Sequence, residues 1–146
     1  MMRRFAIVVG GLSVLLSGTV VSLSAHHAFS AEFDASRPVS FKGTVTKMEW
    51  VNPHAWIHID VKKSDGSVES WAIEGGTPSV LARRGLTQAA LKPGSEVVVE
   101  GYQAKDGSKR ANGRQVTFAD GRKLFLGSNG TGAPYELEPT AKDKVK

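Results

Sequence analysis

Apolar and polar residues alternate in several short runs of this chain, and turn signals separate the runs. In its clearest stretch every second residue is apolar, at Ala55, Ile57, Ile59 and Val61. Such a period of two is typical of a β-strand with one face in a core. Three Asp-Gly pairs, at 65–66, 106–107 and 120–121, are of the kind that closes a β-hairpin, because glycine accepts a positive φ. The sequence therefore predicts a mainly β protein.

Four further runs with the same period predict four more strands, around 41–45, 71–73, 97–99 and 116–118. Between the third and fourth strands Thr77 can cap a short helix that Pro78 begins and Gly85 ends. Gly43 and Gly101 lie where a strand could bend sharply. Three strands, a helix and two strands is the order of the OB-fold, a small, partly open Greek-key barrel. We therefore predict a five-stranded OB-like β-barrel with one short helix between strands three and four. An open β-sandwich or roll is the alternative.

The start of the chain has the pattern of a signal peptide, in which two arginines precede an apolar stretch at 5–21 that glycines interrupt. Cleavage directly before Ala25 would leave Ala25 as the first residue, and cleavage directly after it would leave His26. An uncleaved membrane anchor is the alternative, since the apolar stretch is close to spanning length. The small residues at its end favour cleavage. We therefore expect a periplasmic or secreted product without stable membrane insertion.

Cysteine content and net charge narrow the classes of partner that this chain could bind. There is no cysteine, so an exported product would have no disulfide. Lys and Arg number 19 against 14 Asp and Glu, and removal of the two leader arginines would leave a net charge of about +3. This mild excess gives no argument for nucleic acid as a partner.

We predict a signal peptide, an extended N-terminal arm, an OB-like domain and a flexible C-terminal tail, at 1–25, 26–38, 39–126 and 127–146.

Four segments carry a resemblance to a family. They are 26–34, which begins His-His-x-Phe; Gly43-Thr44-Val45; 49–54, which reads Glu-Trp-x-Asn-Pro-His; and Asp120-Gly121-Arg122. Together they resemble a family of small exported bacterial proteins that is a domain of unknown function. The resemblance covers nearly all of the predicted mature domain. It implies export and a small β fold, and it implies no reaction, substrate or cofactor.

The four histidines form two groups, His26-His27 and His54 with His58. After cleavage, the new α-amine together with His26 or His27 could chelate Cu(II) or Ni(II). His54 and His58 share a strand face but lie about 13 Å apart at about 3.3 Å per residue, which is too far for one ion. The N-terminal arm would therefore have to fold back over this face. His54 is the favoured partner, because the turn signal Asn52-Pro53 places it at a strand entrance.

The sharpest functional hypothesis is a transition-metal site, for Cu or Zn, formed by His26, His27 and His54 in an exported binding module. Since no thiolate is available, imidazole nitrogens would bind such an ion, and an oxygen could come from a strand carboxylate, namely Glu49, Asp60 or Glu74. The spacing matches none of the tight zinc motifs. Exposed histidines that bind no metal are therefore the alternative.

A second hypothesis rests on Trp50 and Trp56, with His58 beside Trp56. Two exposed indoles can bind a glycan, another small envelope ligand or a protein. The alternative is that they cover a small second core under the arm, together with Phe29 and Phe33.

An enzyme is not expected, because the chain has no cysteine nucleophile, no G-x-S-x-G elbow and no phosphate-binding glycine loop. The strand carboxylates alternate with apolar residues as on a solvated face: Glu49, Asp60, Glu69 and Glu74.

Overall fold

Six β-strands and four short helical segments make up the part of the chain that the computed structural model describes, residues 29–128 and 130–136. The strands are β1 (Phe33–Glu49), β2 (Trp56–Lys62), β3 (Val68–Glu74), β4 (Glu96–Ala104), β5 (Arg110–Phe118) and β6 (Lys123–Phe125). The helical segments are α1 (Phe29–Glu32), α2 (Pro78–Arg83) and two 3₁₀ turns, Gln88–Ala90 and Pro134–Glu136. Within these residues no helix has the length and apolar character that crossing a membrane requires.

The mainly β class is confirmed, and the structure has six strands where five were predicted. The additional strand is β6, which pairs with β5 after the turn at Asp120-Gly121. Its three residues are too few to display a period of two, so the alternation that reveals the other strands gives no signal here.

The strands form one sheet in the order β3-β2-β1-β4-β5-β6. Neighbours in this order pair antiparallel, and β3 pairs in addition with β5, in parallel. The extra pairing connects strands β1 to β5 in a ring. Strand β1 is long enough to pair with two neighbours: its first part pairs with β4 and its last part with β2.

Local turn chemistry follows the sequence closely. The glycine of each Asp-Gly pair has a positive φ, 85° at Gly66, 77° at Gly107 and 84° at Gly121. In each pair the aspartate carboxylate accepts a backbone N–H two residues further on at 2.9 Å. Helix α2 begins as predicted, since the Thr77 hydroxyl accepts the N–H of Val80 at 3.3 Å.

The main core lies on the inward face of the sheet. In the predicted aliphatic row, Ile57 and Ile59 are wholly shielded from solvent, whereas Val61 is half-buried. Trp71 of β3 is also buried in this core. Leu81 brings α2 into contact with the same cluster. The core therefore includes residues from every strand from β1 to β5 and from the segment between β3 and β4.

A second apolar cluster is built from both ends of the described chain. It contains Phe29, Phe33, Ala104, Ala133 and Tyr135. The Phe29 ring meets the half-buried Tyr102 ring edge-on, with centroids 5.4 Å apart. The small second core considered from sequence therefore exists, but Phe29 and Phe33 pack with Tyr102 and Tyr135 in place of the two tryptophans.

This cluster changes the interpretation of both flanking segments. The residues expected as an extended arm include a helical turn, α1, and the start of β1 at Phe33. Residues 130–136, expected within a flexible tail, pack on them, and the Phe29 N–H donates to the Thr131 carbonyl at 2.8 Å. The predicted signal peptide, His26, His27 and the end of the predicted tail lie outside the described residues.

Candidate functional site

The outer face of β2, β3 and β5 carries a row of polar and aromatic side chains. Cross-strand pairing places Trp56 beside Glu74 and Glu74 beside Asn112. The adjacent row is Ile57, Ile73 and Ala111, all buried in the main core. Since successive side chains of a strand point to opposite faces, the Trp56 row faces outward. It is nevertheless well covered, because Glu74 is only 8% exposed and Asn112 only 3%.

Glu74, Asn112 and Tyr135 form a buried chain of hydrogen bonds. The Asn112 amide donates to Glu74 Oε1 at 3.2 Å, and the Tyr135 hydroxyl donates to Asn112 Oδ1 at 3.0 Å. Burial raises the pKa of Glu74, although the neighbouring His54 and the bond from Asn112 act against this. The expectation that Glu74 lies on a solvated face is wrong, because Tyr135, from beyond the sheet, lies against this row.

The raised pKa of Glu74 predicts a pH dependence of stability. A carboxyl group of this kind contributes stability fully below its ordinary pKa of 4.5 and loses that contribution as the pH rises towards the raised folded value. Glu74→Gln retains an acceptor for Asn112 and cannot ionise. As the pH rises from 4.5 towards the folded pKa of Glu74, the free energy of unfolding of the variant should increase relative to that of the natural protein. The increase is at most about 1.4 kcal/mol per pH unit for one proton. Urea unfolding at a series of pH values measures the difference.

Glu69→Gln is the matched control for that experiment. The hydrogen bond from Lys109 lowers the pKa of Glu69, so this variant should lose stability, relative to the natural protein, as the pH rises through the acidic range. Parallel curves for the natural protein and Glu74→Gln would contradict the burial of an ionisable Glu74.

His54 lies at the end of the same face, two residues before β2 begins. Its Nδ1 is 3.2 Å from the Gly75 carbonyl oxygen and 3.8 Å from Glu74 Oε1. In the tautomer with the proton on Nδ1, the ring donates to Gly75 and carries its lone pair on Nε2. This is the way in which proteins commonly hold a metal-binding imidazole, with the second nitrogen bonded to a carbonyl or carboxylate.

His58 lies further along β2 and has different neighbours. Its Nε2 is 3.4 Å from Glu49 Oε1, and the same carboxylate accepts a hydrogen bond from Lys47. That bond from Lys47 lowers the pKa of Glu49. Of the three carboxylates considered as oxygen donors, Glu74 thus lies near His54 and Glu49 near His58, while Asp60 accepts a bond from Ser70 at 2.6 Å. The two strand histidines face different carboxylates.

The two tryptophans lie in different surroundings. Trp50 is half-buried and packs against the main core. Trp56 is half-buried on the outer face, where the Arg110 guanidinium lies 5.3 Å from its ring centroid. Arg110 is in turn 3.0 Å from the Glu32 carboxylate of α1. The first described residues of the chain therefore reach the outer face beside Trp56.

The structure thus places His54, Trp56 and the first described residues on one face, and it adds three residues that the sequence did not single out. These are Asn112, Arg110 and Tyr135, of which Asn112 has a sequence signal, since asparagine is uncommon within strands. Within residues 29–128 and 130–136, no three His, Cys, Asp or Glu side chains come together as a metal-binding group. His26 and His27 lie outside that range.

Residues 14–114 match the model of a family described as a family of unknown function, DUF6152. The expected likeness to an uncharacterised family is thereby confirmed. Neither a curated protein nor a solved structure matches this chain. The matched range includes all four histidines, Trp50 and Trp56, and it ends within β5, before Tyr135.

Proposed function

The chain belongs to this family of unknown function, and we propose that it is an exported, non-enzymatic binding module for a transition metal ion, Cu or Zn. The ion is held by His54 together with His26 and His27. The observation that carries the proposal is the orientation of the His54 ring, which directs Nδ1 to the Gly75 carbonyl on the face that the first described residues reach. An imidazole oriented in this way is suited to bind a metal ion through Nε2.

The architecture that we propose is an OB-like β-barrel. Two observations support it: the ring of pairings through β3 and β5, and the position of α2 between β3 and β4. In folds of this kind the outer face of strands two and three is a usual ligand surface. The His54–Glu74 contact lies at the end of that face.

Chain connectivity supports a contribution from the N-terminal histidines. His27 is two residues before Phe29, so their Cα atoms are at most about 7 Å apart. Phe29 shares the second apolar cluster with Tyr135, whose hydroxyl bonds to Asn112 beside Glu74. Three residues after Phe29, Glu32 contacts Arg110 above Trp56. The first described residues thus lie close to the face on which His54 lies.

The proposed donors suit the proposed ions. Imidazole nitrogens bind Cu(II) and Zn(II) well, and cleavage directly before or after Ala25 adds an α-amine at the new N-terminus. The Gly75 carbonyl, 3.2 Å from His54 Nδ1, orients the ring, and Glu74 lies 3.8 Å from the same nitrogen without having to bind the ion. Export to the periplasm or beyond the cell, with removal of the signal peptide, is part of this proposal.

The test is a calorimetric titration of the mature protein with Cu(II) and Zn(II), after mass spectrometry has identified its N-terminus. We expect one ion per chain, and we expect His54→Ala to weaken binding at least about tenfold, the low end of what the loss of an orienting partner alone costs a metal site. His58→Ala is the matched control and should leave the affinity unchanged, because His58 faces Glu49. Binding that is insensitive to His54→Ala would reduce the site to an N-terminal chelate, and no binding would overturn the proposal.

The alternative is a glycan, another small ligand or a protein partner bound over Trp50, Trp56 and His58 without a metal. It has less support, because Trp50 packs against the main core and Arg110 lies over Trp56. Loss of binding in Trp56→Ala with no effect of His54→Ala would favour it.

A further inference from the structure

Residues 130–136, called the C-terminal strap below, form a compact turn against the outer face of the sheet. The Glu136 carboxylate accepts the Thr131 N–H at 2.9 Å, the Thr131 hydroxyl at 2.9 Å and the Gly132 N–H at 3.1 Å. The Glu136 N–H in turn donates to the Ala133 carbonyl at 3.0 Å. All four bonds lie within the strap. The strap can therefore keep its shape when its contacts with the rest of the protein are broken.

Apolar packing and single hydrogen bonds attach the strap to its surroundings. Ala133 and Tyr135 pack in the second apolar cluster with Phe29. The Thr131 carbonyl accepts the Phe29 N–H at 2.8 Å, and the Tyr135 hydroxyl donates to Asn112 Oδ1 at 3.0 Å. The strands of the sheet, in contrast, are joined by ladders of backbone hydrogen bonds. The strap is therefore attached by contacts that can break without breaking a ladder.

The main core is built by residues that precede the strap along the chain. Its buried members lie between Val45 and Leu126, while the strap contributes to the second cluster. The ring of strand pairings is likewise made by β1 to β5. Proteins often open locally at units that share few contacts with the core, at a free energy below that of global unfolding. The sheet and its core would therefore persist if the strap moved away.

The surface that the strap covers is polar. Glu74 is only 8% exposed and Asn112 only 3%, and Tyr135 lies against both. Removal of a carboxyl and a carboxamide group from water costs free energy, which their mutual hydrogen bond at 3.2 Å offsets in part. Opening of the strap would return both groups to water. Solvation of this pair thus favours opening, and the apolar packing of Tyr135 favours closure.

We propose that the C-terminal strap is a lid that opens as one unit while the sheet stays folded, and that Tyr135 holds it closed. In the closed state the Tyr135 hydroxyl occupies the side-chain oxygen of Asn112 and the strap shields Glu74. In the open state Glu74 and Asn112 become accessible beside Trp56, their neighbour in the cross-strand row. The lid thus controls whether a ligand on this face reaches a carboxyl and a carboxamide group. It would do so with or without the proposed metal site.

Native-state hydrogen exchange on the full chain, without added metal, tests the lid. The reporters are the N–H groups of Thr131, Gly132 and Glu136 in the strap and that of Ala55, which lies in the main core and donates to the Gly76 carbonyl at 3.0 Å. The strap reporters should exchange at least about tenfold faster than Ala55. Low concentrations of urea should change the strap rates little, because the opening exposes little surface, and should accelerate exchange at Ala55 strongly.

Two conservative variants separate opening of the strap from unfolding of the sheet. Tyr135→Phe keeps the ring and loses the bond to Asn112, so it should accelerate exchange in the strap about fivefold, the effect of one hydrogen bond. Ile59→Val, in the main core, should accelerate exchange at Ala55 about fivefold, as the loss of one buried methylene group does. It should leave the strap rates unchanged, because the main core stays intact when the lid opens.

Labelling of carboxyl groups with a carbodiimide and an amine measures the exposure of Glu74 directly. In Tyr135→Phe, Glu74 should be labelled about fivefold faster than in the natural protein, in parallel with the strap amides, because both depend on the same opening. Glu69, whose side chain is 25% exposed in the closed protein, is the internal control. Its labelling rate should be the same in both proteins.

Three results would overturn the lid. Equal acceleration of the strap amides and Ala55 in Ile59→Val would show that the strap and the sheet unfold together. Strap rates that Tyr135→Phe leaves unchanged would show that Tyr135 does not hold the strap closed. Labelling of Glu74 that stays constant while the strap amides accelerate would show that opening does not uncover the pair.

Discussion

Replacing Phe33 by alanine should lower the free energy of unfolding by about 3 to 4 kcal/mol, as for other fully buried phenylalanines. Phe33 is 3% exposed, packs in the second apolar cluster and pairs with Ala104 at the start of β1. Removal of its ring leaves a cavity between the two ends of the described chain. Urea unfolding followed by tryptophan fluorescence and circular dichroism measures the loss.

Val51→Ala is the control for Phe33→Ala, because Val51 is 50% exposed and surface substitutions usually change stability by less than about 0.5 kcal/mol. If Phe33→Ala also lies within this range, residues 29–38 behave as a loose arm. The packing of the second cluster would then be contradicted.

Gly101→Ala should destabilise the protein by about 3 kcal/mol, at the upper end of the usual cost of overpacking. A Cβ at this position would lie 2.2 Å from the Asn112 carbonyl oxygen and 3.2 Å from the Gly113 Cα. Both are backbone atoms of β5, where β4 and β5 are paired around a register shift. Neither can move without breaking the pairing, so the strain falls on the sheet. Thermal unfolding measures the effect, and we expect a lower midpoint for Gly101→Ala than for the natural protein.

Gly76→Ala provides the comparison for Gly101→Ala. A Cβ at Gly76 would meet its nearest atom, the Gly127 carbonyl oxygen, at 3.4 Å, which is close to an ordinary contact. We expect it to cost clearly less than Gly101→Ala. Equal losses at the two positions would show that the close approach at Gly101 does not determine the result.

Local chemistry explains why so much of the sheet could be predicted. The alternation at 55–61 spans seven residues, and each Asp-Gly turn is closed by a carboxylate that bonds two residues away. The cap of α2 by Thr77 is equally local. In each case the residues that determine the structure are neighbours in sequence, so the pattern is visible without a structure.

The second cluster could not be predicted in the same way. Phe29 and Phe33 meet Ala133 and Tyr135, about a hundred positions later in the chain, and neither pair has a periodic pattern around it. The candidate site likewise has residues that local sequence predicts and residues that it does not. Alternation correctly places Trp56 and His58 opposite the aliphatic row of β2. It wrongly predicts a solvated Glu74, because the cover of Glu74 comes from Tyr135, which is remote in sequence.

The hydrogen bond from Phe29 to Thr131 brings the two ends of the described chain side by side, so residues 29–136 nearly close into a loop. A domain with adjacent ends tolerates insertion into another chain, or joining of its ends and reopening at an exposed turn such as Asp65-Gly66. The sheet would form in the same way wherever the chain began. The proposed metal site would be lost by such a change, because it needs His26 and His27 next to the N-terminus that cleavage leaves. Fold and function would therefore be separable in this protein.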